Sequence, residues 1–150
     1  MDSEGAVQAT LRGEEGSTIT LRVTGYRPDH GRDAPGGTIE VEFLEPPSRS
    51  FHAACPVVIP ASDVAQFTEA LAVMDRELSG EATLGLDPDY FQIRVVMAAG
   101  RVTIGGFVYT TAENMLRWEG VRADQTFMSG PLAQFSCIVE TFPARRGAER

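Results

Sequence analysis

The 150-residue sequence predicts an α+β domain, an antiparallel β-sheet of about six to eight strands with two main helices, near 62–78 and 131–142, packed on one side. Three observations predict it. Most of the chain alternates apolar and polar residues with a period of two, the signature of a half-buried strand. Two segments change to apolar spacings of three and four, the signature of an amphipathic helix. Turn-forming residues cluster between the alternating runs, so successive strands can pair as hairpins. With 43% hydrophobic and 23% charged residues the composition is that of an ordinary globular chain, and folding at this length buries roughly 68–70% of the unfolded surface. One domain over 1–150 is expected, with frayed ends at 1–5 and 144–150. No internal repeat, low-complexity segment or linker is visible.

Val7, Ala9 and Leu11 alternate with polar neighbours, Gly13-Glu14-Glu15-Gly16 forms a turn, and Ile19, Leu21 and Val23 alternate with Thr18, Thr20 and Arg22. This is a hairpin. Pro28, Asp29, Gly31, Asp33, Pro35, Gly36 and Gly37 then crowd into an exposed loop, each a turn former by its own mechanism. Ile39, Val41 and Phe43 alternate with Glu40, Glu42 and Glu45, giving a strand with one apolar and one acidic face that ends at Pro46-Pro47, where the ladder loses its donors. A short strand through Phe51 and Ala53 and the apolar run Val57-Val58-Ile59 follow.

The clearest helix has Ser62 as its expected N-cap, Asp63 at the positive end of the dipole, and a core stripe of Val64, Phe67, Leu71, Met74 and Leu78, closed by Ser79-Gly80. A strand at Ala82 to Leu86 follows. Phe91, Ile93, Val95 and Met97, the turn Ala99-Gly100, and Val102, Ile104 and Val108 predict a second hairpin. Gly105-Gly106 inside its return strand predicts a bulge or a close backbone approach, without a pocket of its own. A strand through Leu116 and Trp118 leads to Asp124-Gln125-Thr126-Phe127. Asp124 can accept a hydrogen bond from an amide two or three residues on, and Phe127 is expected to anchor the joint. The last helix begins at Ser129-Gly130-Pro131, buries Leu132, Phe135, Ile138, Val139 and Phe142, and stops at Pro143. Each large side chain so buried contributes roughly 1.5–3 kcal/mol before entropy is counted.

The formal net charge is −8, and every basic residue is Arg. Residues 1–75 hold twelve acids against five Arg (net −7) and residues 76–150 hold nine against eight (net −1). The acid is concentrated in the first half. Such a surface repels phosphate backbones and attracts basic proteins, so no nucleic-acid partner is expected. The first residues, Met1-Asp2-Ser3-Glu4-Gly5, lack the basic and apolar regions of a secretory signal, and no apolar run reaches the roughly 20 residues of a spanning helix. The expected location is the cytoplasm, where Cys55 and Cys137 fit two buried thiols.

No constellation of residues states a reaction. With His30 and His52 as the only histidines, a three-His metal centre is impossible. His52-x-x-Cys55 lacks a second ligand pair, and strand alternation sends the two side chains to opposite faces. A chain without Lys has no P-loop lysine, and neither G-x-G-x-x-G nor G-x-S-x-G occurs. Glu40 and Glu42, roughly 7 Å apart on one strand face, match glycosidase spacing but are the ordinary solvated side of a half-buried strand. Asp87-Pro88-Asp89 lacks the remaining ligands of a calcium loop. Trp118 and Tyr109 could stack on a ligand, but aromatic residues in strands serve the core first. No metal, no cofactor and no enzymatic activity are expected.

From about Ile19 to Phe142 the chain resembles a family of small bacterial proteins that includes the WapI-type immunity proteins and related uncharacterised domains. The resemblance is carried by the strand Gly37-Thr38-Ile39-Glu40-Val41-Glu42-Phe43, the helix Ala61 to Met74 with Phe67 and Leu71, the hairpin Ile93 to Val108 with Gly100 at its turn, and Ala123-Asp124-Gln125-Thr126-Phe127. Ser129-Gly130-Pro131 departs from the family pattern. The resemblance implies an α+β domain without an active site that, in the immunity members, neutralises a toxin domain delivered by a neighbouring cell. The expected function is therefore binding of a basic toxin or effector domain. Asp29, Asp33, Glu40, Glu42 and Glu45 are the candidate contact surface, and Trp118, Asp124, Gln125 and Phe127 form a structural motif. A chaperone for a secreted effector and a structural or interaction domain are the alternatives. The sequence leaves the oligomeric state open.

Overall fold

The computed structural model describes residues 7–26, 35–45, 49–85, 91–109, 114–124, 126 and 128–143. Its elements run β1 (Val7–Arg12), β2 (Thr18–Tyr26), β3 (Pro35–Glu45), β4 (Arg49–Val58), α1 (Ala61–Glu77), β5 (Gly80–Leu84), β6 (Phe91–Ala98), β7 (Arg101–Tyr109), β8 (Met115–Asp124) and α2 (Ser129–Thr141). The fold is α+β with antiparallel strands throughout.

The eight strands form two sheets of four, ordered β1-β2-β3-β4 and β5-β6-β7-β8, where the sequence suggested one. Period-two alternation fixes which face of a strand is buried but not which strand lies beside it. The break falls at α1, which carries the chain off β4 before β5 begins. Each sheet is a meander followed by a helix, so the architecture repeats as ββββα twice although the sequence shows no repeat. The pattern survives because only the inward positions need to stay apolar.

One hydrophobic cluster draws on all ten elements. α1 packs on β5 and α2, and α2 packs on β1, with Phe67 and Phe135 meeting edge to face at 5.1 Å between ring centroids. α2 also covers the free edge of β1: the Thr10 amide donates to Gln134 Oε1 at 2.8 Å, which satisfies an edge group that would otherwise invite another strand.

Several local expectations change. Pro60, not Ser62, precedes α1, and no side chain caps it; the Pro60 carbonyl itself accepts the Asp63 amide at 2.9 Å. Leu78 lies beyond the helix end in a left-handed conformation (φ 58°) and is 38% exposed, so it is no part of the core stripe. β4 is one unbroken strand that includes Pro56. Its place at the sheet edge tolerates a residue without an amide proton. Cys55 is buried but Cys137 is exposed, because Cys137 falls off the α2 stripe of Phe135, Ile138 and Phe142. The hairpin turn at Ala99-Gly100 has positive φ at both residues (53° and 79°), the geometry of the two-residue turn that suits the twist of the flanking strands.

Candidate functional site

The outward face of the first sheet is built by the alternation that buries Ile19, Leu21, Ile39 and Val41. Register places Arg12, Thr18, Glu42 and His52 in one row and Thr10, Thr20, Glu40 and Ala54 in the next. Glu40 and Glu42 are both exposed on β3. His52 Nε2 lies 2.7 Å from Glu40 Oε2, with both side chains more than half exposed, so the pair is worth under about 1 kcal/mol. His52 and Cys55 lie on opposite faces as expected, and burial pushes the Cys55 thiol up. No group of three or more His, Cys, Asp or Glu able to hold a metal ion occurs among the described residues. Asp29 and Asp33 lie outside the described residues, as does the side chain of Glu45.

At the joint between β8 and α2 the hydrogen bond expected of Asp124 is present, ahead of a helix whose own N-cap is Met128. The Thr126 amide donates to Asp124 Oδ1 at 2.9 Å, and the Thr126 hydroxyl donates to the same oxygen. The hydroxyl bond first, then the amide bond, with Arg101 nearby, holds the Asp124 carboxyl below its ordinary range. Gln125 and Phe127 lie outside the described residues; the position next along, Met128, is fully buried. Trp118 belongs to the core at 7% exposure, tilted at 45° against Phe43 at 5.4 Å between centroids. Its indole Nε1 is buried and has no hydrogen-bond partner among the described residues.

A hollow on the outward face of the second sheet, lined in part by Gly105 and Gly106, overturns the expectation that the glycine pair has no pocket of its own. Of the two outcomes expected at Gly105-Gly106, the close backbone approach is the one that occurs: the β7–β8 register does shift beside Gly105, but the extra residue of that bulge is Gly120 on β8. A Cβ on Gly106 would lie 2.1 Å from the Gln92 carbonyl oxygen and 2.8 Å from the Trp118 ring, so the indole lies over a bare backbone. On the other side of the sheet, the missing Gly105 side chain leaves a concavity of about 360 Å³ whose lining includes Arg94, Thr103, Phe107, Arg117 and Glu119. The signal was the glycine pair itself, in a strand whose register only the structure fixes. Arg94 Nε donates to Glu81 Oε2 at 2.6 Å, an exposed pair whose hydrogen bond lowers the Glu81 carboxyl and raises the Arg94 guanidinium.

No helix among the described residues is long and apolar enough to cross a membrane. No family model matches the chain, and no curated protein matches it. Among solved structures, the chain is similar to one described as crystal structures of Trypanosoma brucei MRP1/MRP2, with 16% identity over 90% of this chain and 85% of that one and a TM-score of 0.44.

Proposed function

We propose that this protein is a non-catalytic cytoplasmic binding protein, an immunity protein of the kind the WapI-type resemblance implies, and that it engages a basic toxin or effector domain through the acidic face of its first half. The observation that supports this reading is the placement of Glu40 and Glu42, exposed on the outward side of β3 in the half that carries net −7. Carboxylates in that position steer a basic partner toward a preformed surface and raise its association rate more than its final affinity. Asp29, Asp33 and Glu45 extend the same acidic segment along the sequence.

The reading requires a secreted protein with a basic carboxy-terminal domain encoded beside this chain, and the test uses that domain as the partner; its absence from the neighbouring reading frames would count against the reading. Its association rate, measured by stopped flow, should fall at least about tenfold from low to high ionic strength. The Glu40→Gln/Glu42→Gln double variant should lose most of that salt dependence while remaining folded. Equal rates at both ionic strengths would refute the role of this face.

A further inference from the structure

The hollow over Gly105 lies on the sheet opposite in sequence to the acidic face and is independent of the function proposed for that face. Its floor is the backbone of β7. Register places Arg94 of β6 and Glu119 of β8 on either side of Gly105 across the strands, roughly 10 Å apart from two interstrand spacings. Thr103 and Phe107 flank Gly105 along β7, and Gln92, Phe107 and Arg117 form the adjoining row. A volume of about 360 Å³ falls at the lower end of small-molecule sites. Phe107 is half-buried and braced edge-on by Tyr109 at 5.7 Å between centroids, which makes it a fixed wall.

The cations of the hollow are available. The bond to Glu81 uses Arg94 Nε, one of the five donors a guanidinium carries. Arg117 is exposed and has no ion-pair partner within 4 Å among the described residues. We propose that this hollow binds a small planar organic carboxylate. The flat group lies on the bare Gly105 backbone against the Phe107 ring, and its carboxylate accepts hydrogen bonds from Arg117 and Arg94, whose planar forks match that geometry. Glu81 and Glu119 together with the net charge of −8 set the selectivity. They repel phosphates and polyanions and leave a monocarboxylate as the anion the site tolerates.

The test is a titration of the ¹⁵N-labelled protein with sodium benzoate, and in parallel with benzamide, its neutral counterpart of the same shape. Saturable shifts should appear at the amides of Gln92, Gly105, Phe107 and Arg117, with benzamide at least about tenfold weaker, the discrimination expected of a charge-assisted contact. Arg117→Gln, an exposed change on an edge strand, should weaken benzoate at least about fivefold and leave amides elsewhere unshifted. The proposal is overturned if benzoate gives no saturable shift at these amides, if benzamide binds as well, or if Arg117→Gln binds benzoate undiminished.

Discussion

On β3, the third strand of the first sheet, the outward positions Thr38, Glu40 and Glu42 form a continuous polar face, with Glu40 tied to His52. On β7, the third strand of the second sheet, the outward positions are Thr103, Gly105 and Phe107, and the middle one carries no side chain. Both strands are central in their sheets, and both bury an aliphatic pair, Ile39 and Val41 in one, Val102 and Ile104 in the other. Two meanders of the same element order therefore share an inward rule and differ in what their central strands present to water. Burial constrains every second residue because each apolar side chain moved outward forfeits roughly 1.5–3 kcal/mol. The residues between are free to carry two carboxylates on β3 in one sheet and a bare glycine under a hollow on β7 in the other.

The joints differ as well. Neither helix has a side-chain cap, but α1 follows Pro60, whereas the chain before α2 is turned by Asp124 holding Thr126. A proline restricts the chain by its own ring and does not titrate; a carboxylate does the same work only while ionised.

The largest effects are expected where the halves touch. Phe67→Ala and Phe135→Ala should each cost about 3–5 kcal/mol in denaturant unfolding, and the double variant should cost less than the sum because the rings share one contact. Strict additivity would mean that the two halves are stabilised independently. Trp118 sharpens the second meeting point, against Phe43. Trp118→Ala should cost about 3–5 kcal/mol, and Trp118→Phe clearly less, because it deletes only part of the ring system together with an N–H that has no hydrogen-bond partner among the described residues. A large loss in the Phe variant would show that the N–H is satisfied in solution.

The smallest effect separates the joints by pH. The Asp124 carboxyl is held below its ordinary 3.8, so its contribution to stability is complete above that value and disappears as pH falls through the lowered folded value. Asp124→Ala should lower the Tm slightly at neutral pH, and the difference from the parent chain should vanish in strong acid. A difference that persists there would mean that Asp124 acts through packing rather than through its charge.

Much of this was legible in the sequence. Val64, Phe67, Leu71 and Met74 announce α1 by spacing, and Asp124 announces the last joint by chemistry local to three residues. The misses have a common cause. Ser62 is a good cap by type, but Pro60 had already set the turn; Leu78 continues the stripe on paper, but the helix ends before it. In both, the backbone path decided between two locally acceptable outcomes.

Alternation, helical spacing and charge, which act between residues close in the chain, determined the element types, the inward faces and the acidic first half. The division into two sheets, the burial of Trp118 over Gly106, the exposure of Cys137 and the hollow at Gly105 were decided by tertiary structure alone. Each depends on which strand or helix lies beside another, and that choice is made by packing between residues far apart in the chain.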